Sequence, residues 1–289
     1  MSSRAADSMK GKTCVVTGAN SGIGLETAVA LASEGARVAI VCRTPEKSER
    51  AASEIRRRAS GADVLTFAAD LSSQRAVRAV AAQLASALPR LNVLVNNAGL
   101  MLRERVLTED GLETTFAVNH LAYFLLARLL EPQLAAAAPS RVVNVSSRAH
   151  LSGTLRFENL MGSREYDGWQ AYTQSKLANV VFTYELARRL AGTAVTANCL
   201  HPGVVGTNIG HAGPTWIRYG IKVVRPFLLS SKRGAATSIY LASSPDVQGV
   251  SGKYFVDRRE ERTSVESYDP AVAARLWTVS EELTARSER

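Results

Sequence analysis

Lys12-Thr13-Cys14-Val15-Val16-Thr17-Gly18-Ala19-Asn20-Ser21-Gly22-Ile23-Gly24 is the stretch on which the fold turns. Its first six residues read as a short buried strand, and Leu25, Ala28, Val29 and Ala32 then recur at helical spacing. Glycines between a strand and a helix let the backbone approach a phosphate. The helix start adds unpaired N–H donors and the positive end of its dipole. A glycine loop by itself is also read as a tight turn, but a strand before it and a helix after it favour a nucleotide site.

The alternation continues outward. Strands are expected at Arg37–Cys42, Val64–Ala69, Leu91–Val95, Arg141–Val145, Ala194–Leu200 and Lys253–Val256. Helices are expected over about 44–60, from 73 to 88, over 112–134 with a restart at Pro132, around Tyr172, over 233–242 and over 270–284. Buried strands alternating with helices predict an α/β chain. It reads as a single doubly wound Rossmann fold, a seven-stranded parallel sheet flanked by helices, with right-handed crossovers. No linker or repeat interrupts it, so residues 1–289 read as one domain. Residues 1–10 read as a flexible N-terminus and 258–289 as a C-terminal extension. Glycines and prolines mixed with Trp216, Ile217, Tyr219 and Phe227 make 207–230, after strand six, read as a lid over an apolar substrate or as an extra helix packed on the body.

Small polar residues gather where the strands end, which is where α/β sheets bind ligands. The second strand ends at Arg43, with no acidic residue before Glu46. In dinucleotide folds an arginine there accommodates the 2′-phosphate of NADP, whereas an acid would hold the ribose of NAD. Arg43 is otherwise a surface residue closing a strand. Asp70 is read as a helix cap or as a neighbour of adenine. Asn119, inside a helical pattern, is a surface residue or is there for a hydrogen bond.

Tyr172 and Lys176 lie four residues apart and so share one helical face. A cation beside a phenol favours the phenolate, which makes a tyrosine a proton donor and acceptor near neutral pH. Taken alone, the pair reads as a surface tyrosine and lysine.

Of 289 residues, 46% are hydrophobic and 21% charged, as expected of a globular protein with a sizeable core. The net charge of +9 is scattered and lacks the basic–aromatic pattern of nucleic-acid binding, so it points to small anionic ligands. Cys14, Cys42 and Cys199 sit in apolar runs and read as reduced core thiols; they and the four histidines lack metal-ligand spacing, so no metal is expected. No apolar run reaches membrane-spanning length and residues 1–10 are polar, so a cytoplasmic protein without an integral membrane segment is expected.

Thr17-Gly18-x-x-x-Gly22-x-Gly24, Asn96-Asn97-Ala98-Gly99, Asn119, Ser147, Tyr172-x-x-x-Lys176 and Pro202-Gly203, in this order, resemble the short-chain dehydrogenase/reductase family over about residues 10–260. Val142-Val143-Asn144-Val145-Ser146-Ser147, Ser175-Lys176-Leu177-Ala178-Asn179 and His201-Pro202-Gly203-Val204-Val205 are similar to its retinol dehydrogenase-like branch, which includes WW-domain oxidoreductases. Tyr123 stands where that branch often has a histidine.

The resemblance implies an Asn119–Ser147–Tyr172–Lys176 tetrad and hydride transfer between a nicotinamide and a carbonyl or alcohol carbon. Tyr172 would move the proton, Lys176 would tune it and hold the ribose, Ser147 would bind the substrate oxygen, and Asn119 would hold a water joining Lys176 to solvent. Gly18, Asn20, Ser21, Gly22, Ile23 and Gly24 would cradle the pyrophosphate. Arg43 would meet the 2′-phosphate of NADP(H), the preferred cofactor over NAD(H), while Asp70 and Leu71 would border adenine. Asn97, Ala98 and Gly99 would line the sheet edge, and Pro202, Gly203, Val205 and Thr207 the nicotinamide. A homodimer or homotetramer formed through the helices of Asn119 and Tyr172 is also implied. Two rivals stand beside this enzyme. One is a cofactor-binding regulatory or scaffold protein, which usually lacks the tyrosine or lysine. The other is a sugar-nucleotide epimerase or dehydratase, against which the glycine spacing counts.

Overall fold

The computed structural model describes residues 8–203 and 230–285. The lid expected at 207–230 lies outside the described residues apart from Ser230, and so do Val205 and Thr207.

Seven parallel strands form one sheet: β1 Thr13–Thr17, β2 Arg37–Cys42, β3 Val64–Ala68, β4 Val93–Asn96, β5 Ser140–Val145, β6 Val195–His201 and β7 Tyr254–Val256. A two-residue strand, β8 Arg259–Glu260, pairs antiparallel with β7 and makes eight; two residues carry no readable period in the sequence. The order is β3-β2-β1-β4-β5-β6-β7-β8, so the direction of winding reverses between β1 and β4. That switch point opens a crevice at the carboxyl ends of β1 and β4.

Successive β1 residues point to opposite faces: Val15 joins one core cluster, Cys14 and Val16 the other. Burial on both faces is why the strands read as unbroken apolar runs. Helices α1 Gly22–Ser33 and α2 Pro45–Arg58 cover one face, and α3 Gln74–Ala87 covers part of the other. Ser73, not Asp70, caps α3; Asp70 instead closes the preceding turn by accepting from Ser72 N at 3.0 Å and Ser72 Oγ at 2.8 Å.

The helix expected over 112–134 is broken. A short α4 Thr114–Phe116 runs into a π-helical turn, Ala117–Leu121, then α5 Ala122–Leu129 and α6 Glu131–Ala136, which restarts at Pro132. Long α7, Gly168–Arg189, starts at the Asp167 cap, whose carboxylate accepts from Gln170 N at 2.8 Å. Gly168 lets this start lie against Leu102 and Arg103, where a Cβ would collide with the Leu102 carbonyl. After β6, α8 Ser231–Gly234 and α9 Ala236–Ser243 return to the α1 side of the sheet.

Two expectations change at the termini. Residues 8–10, expected within a flexible arm, are anchored: Met9 is fully buried and its N–H donates to Glu34 O at 2.9 Å. The C-terminal extension is a layer of the core. Its helix α10, Pro270–Ala285, brings Leu276 into the buried cluster of Leu121, Leu177 and Val181, and packs Trp277 against Phe124 and Phe182. The guanidinium of Arg189 covers the Trp277 ring at 4.0 Å. Helix α10 thus covers part of the surface of α5 and α7, in the two helical segments through which the resemblance implied subunit pairing.

Candidate active site

The crevice is built from backbone first. Thr17 Oγ1, fully buried at the end of β1, accepts from Asn97 N at 2.9 Å and Ala98 N at 3.1 Å, and Asn97 Nδ2 donates back to Thr17 O at 2.8 Å. These bonds lock the glycine loop to the edge of β4. Gly24 is packed so closely that a Cβ would overlap Gly18 O and lie 2.5 Å from Asn97 Nδ2. Because both neighbours are held by these bonds, Gly24→Ala should destabilise the protein by roughly 1–3 kcal/mol, read as a lower Tm; an unchanged Tm would contradict this packing.

Ser21 at the N-cap of α1 makes no side-chain cap, and no acidic residue stands in the first turn. The first N–H groups of α1, at Gly22, Ile23 and Gly24, therefore face a partly open loop with Asn20 and Ser21 exposed beside them. This donor set fits a pyrophosphate. Arg43 is exposed at the end of β2, within electrostatic range of Asp70. Asn97, Ala98, Gly99, Pro202 and Gly203 line the carboxyl ends of β4 and β6, half-buried, and Leu71 is buried after β3.

Tyr172 and Lys176, one turn apart on α7, are 8% and 3% exposed, so they are not a surface pair. Lys176 Nζ donates to Val145 O at 3.1 Å, which leaves two further N–H donors, and lies 5.7 Å from the centre of the Tyr172 ring. Ser147 follows β5, close enough to the Tyr172 phenol for its hydroxyl to favour the phenolate. A Cβ on Gly99 would lie 3.2 Å from Asn119 Oδ1 and 3.4 Å from Lys176 Nζ, so the glycine keeps open the space where these residues meet. All four tetrad residues converge at one crevice.

Burial pushes the Lys176 pKa down to about 8. It also pushes the Tyr172 pKa up, with the Ser147 hydroxyl opposing the rise. The expected lowering of the phenol by Lys176 is therefore corrected: with the ammonium turned onto Val145 O, desolvation dominates.

Asn119 is completely buried, and both ends of its amide are hydrogen-bonded. Oδ1 accepts from Leu100 N at 2.8 Å, and Nδ2 donates to Leu100 O and Ser175 Oγ, both at 2.9 Å. It ties the loop after β4 to α7.

Several participants escape the sequence reading. His150 Nδ1 lies 2.7 Å from Ser147 O, and Ser147 Oγ accepts from Ala149 N at 3.2 Å, so the serine is held from both sides. His201 Nδ1 accepts from Arg148 N at 3.2 Å and, with a pKa lowered to about 4 by burial, is neutral. Tyr123, fully buried, donates to Ala98 O at 2.7 Å. Half-buried Trp169 packs beside Tyr172, with ring centres 5.9 Å apart, and is an aromatic wall next to the phenol. Trp169 had a readable signal, three residues before Tyr172 on the same helical face, and Tyr123 and His201 stood in the motifs without a role assigned to them. A cavity of about 470 Å³ lined by Arg156, Phe157, Glu158 and Arg275 lies elsewhere, and no tetrad residue borders it.

Cys14, Cys42 and Cys199 are free and buried, with thiol pKa values raised by burial, to about 12 for Cys14 and Cys199. Among the described residues no cluster could hold a metal ion, and no helix is long and apolar enough to cross a membrane.

The family model described as short chain dehydrogenase matches residues 12–217. Mouse retinol dehydrogenases 14 and 12 are each 46% identical over 94% of this chain and 86% of their own length. Among solved structures, an uncharacterized protein from Mycobacterium paratuberculosis is 34% identical with a TM-score of 0.79, covering 99% of this chain and 97% of its own. A short chain dehydrogenase from Escherichia coli CFT073, solved with NADPH, is 25% identical with a TM-score of 0.71 over 88% of this chain and 99% of its own.

Proposed function

The chain belongs to the short-chain dehydrogenase family, in its retinol dehydrogenase-like branch, and is an oxidoreductase acting on CH–OH groups; we propose that it uses NADP(H) and reduces an aldehyde or ketone in an apolar small molecule, or oxidises the matching alcohol. The observation that carries this reading is the buried Lys176 ammonium, which lies beside the space kept open by Gly99 and 5.7 Å from the centre of the Tyr172 ring, with the Ser147 hydroxyl near enough to act on that phenol.

NADPH would supply the hydride to the carbonyl carbon. Ser147, its oxygen polarised by Ala149 N, donates to the substrate oxygen as charge builds there. Tyr172 hands its proton to that oxygen; in alcohol oxidation it takes the proton back. Lys176, with two donors left, holds ribose hydroxyls and supplies positive charge beside the developing phenolate. Gly18, Gly22, Ile23 and Gly24 receive the pyrophosphate, and Asp70 and Leu71 border adenine. Trp169 beside Tyr172, and relatives that bear the name retinol dehydrogenase, support an apolar substrate. Three buried thiols support a reducing compartment, the cytoplasm. A homodimer or homotetramer would have to use a face other than the one α10 covers.

Screening NADPH consumption over aldehydes and ketones, with Tyr172→Phe as the blank, tests the reading; NADPH binding without turnover of any carbonyl would reject it. NADP(H) preference rests on Arg43. Arg43→Ala should raise KM for NADPH roughly 10–100-fold, as expected for the loss of a charge-assisted phosphate contact of ~1.5–3 kcal/mol, and leave KM for NADH nearly unchanged. Equal effects on the two cofactors would remove the basis for NADP(H).

A further inference from the structure

We propose that Asn179 is a positioning residue, binding Lys176 and the turn that carries Asn119 into one hydrogen-bonded unit; this rests on the roles assigned above to those two residues. Asn179 lies on α7 three residues after Lys176 and is completely buried. Its Nδ2 donates to the main-chain oxygen of Asn119 at 2.8 Å and reaches Val145 O at 3.5 Å. Val145 O is the same oxygen that accepts Lys176 Nζ at 3.1 Å. One amide group therefore touches the carbonyl of one tetrad residue and the anchor of another.

The π-helical turn at Ala117–Leu121 makes this contact available. A π-turn locally disrupts the regular ladder and often sits at functional sites, and here the Asn119 carbonyl is met by a side chain from the neighbouring helix. The core could fill this volume with leucine. A buried amide is costly unless its bonds are made; here Nδ2 makes them to two carbonyls of the crevice, while Oδ1 is buried without a hydrogen-bond partner among the described residues. Behind Asn179, fully buried His120 lies 2.9 Å through Nε2 from Ser280 Oγ on α10, so the C-terminal helix backs the unit. The titratable groups facing it are Tyr172 and Tyr123 on either side of Lys176, and His120, which burial keeps neutral with a pKa of about 4. Lys176 is therefore the positive charge of the unit.

Asn179→Leu and the isosteric Asn179→Asp, made in the full chain, test the proposal alongside Tyr172→Phe. With a carbonyl substrate that the wild type reduces, Asn179→Leu should lower kcat roughly 10–100-fold, the scale of small misplacements of a catalytic group. KM and NADPH affinity, read by fluorescence titration, should change far less. Asn179→Asp places a carboxylate beside the ammonium and should move the alkaline limb of the kcat–pH profile up by about one unit. A purely packing role would not move that limb. Wild-type kcat in the leucine variant, or an unmoved limb in the aspartate variant, overturns the proposal if Tyr172→Phe is inactive. If the leucine variant does not fold, the aspartate limb decides. Activity retained by Tyr172→Phe rejects the parent reading instead.

Discussion

Tyr172→Phe should lower kcat/KM for carbonyl reduction by roughly 10²–10⁴-fold, the range that one positioned acid or base contributes. The ring is 8% exposed and packs beside Trp169, and phenylalanine keeps that packing. Only the hydroxyl goes, and with it the proton that the alkoxide needs. NADPH affinity should stay within a few-fold, because the remaining cofactor-facing residues keep their places. Steady-state kinetics and fluorescence titration on the same preparation separate the two effects. Burial raises the phenol's pKa, so the proton donor stays loaded in alkaline solution, and the alkaline fall of wild-type reduction should follow the loss of the Lys176 charge near pH 8. A variant with more than a tenth of wild-type activity would mean that another group delivers the proton.

Lys176→Met should move activity and stability in opposite directions. Activity should fall roughly 10³-fold, since the variant loses both the charge beside the phenolate and the donors facing the ribose. NADPH affinity should fall as well. Stability at pH 7 should rise, because the native state buries an ammonium whose pKa is lowered to about 8.

The sign follows from proton binding. Below about pH 8 the lysine is charged in both the folded and unfolded chains, and the folded one bears the full cost of burial. Between about 8 and its ordinary value near ~10.4, the folded chain has released the proton and the unfolded chain has not, so wild-type stability climbs with pH. At ~1.4 kcal/mol per pKa unit the cost approaches roughly 3 kcal/mol, offset in part by the lost bond to Val145 O. The expected gain is therefore ~2–6 °C in Tm at pH 7, shrinking towards pH 10. A lower Tm at pH 7 would show that Lys176 contributes more through its bonds than burial costs it.

Much of the molecule was legible in local pattern. Val15, Ile40, Leu94 and Val143 are buried strand residues, and a strand covered on both faces has to be apolar throughout, so β1 to β7 stood out. The glycine loop, Ser147, and the tyrosine and lysine of α7 were readable because their chemistry depends on short spacings. Where the chain departs from regular period, the reading failed. The π-helical turn has ordinary helix formers around it, and nothing in Ala117–Leu121 announces a widened turn. The two residues of β8 are too few to show an alternation. The broad helix expected over 112–134 concealed both the break and the reason Asn119 stands where it does.

What the sequence determined by itself is the layered fold, the glycine loop between β1 and α1, and a tyrosine and a lysine one turn apart on α7, since each follows from residue types a few positions apart. What only the tertiary structure decided is their state. Desolvation, not the neighbouring ammonium, governs the phenol, because the Lys176 ammonium turns to a carbonyl on β5. Asn119 spends its amide on Leu100 and Ser175, and α10 closes over α5 and α7. Burial and hydrogen-bond direction depend on groups that lie far apart in the chain, between 19 and 160 positions in the contacts of Asn119 and His120. No local pattern encodes which of them will meet.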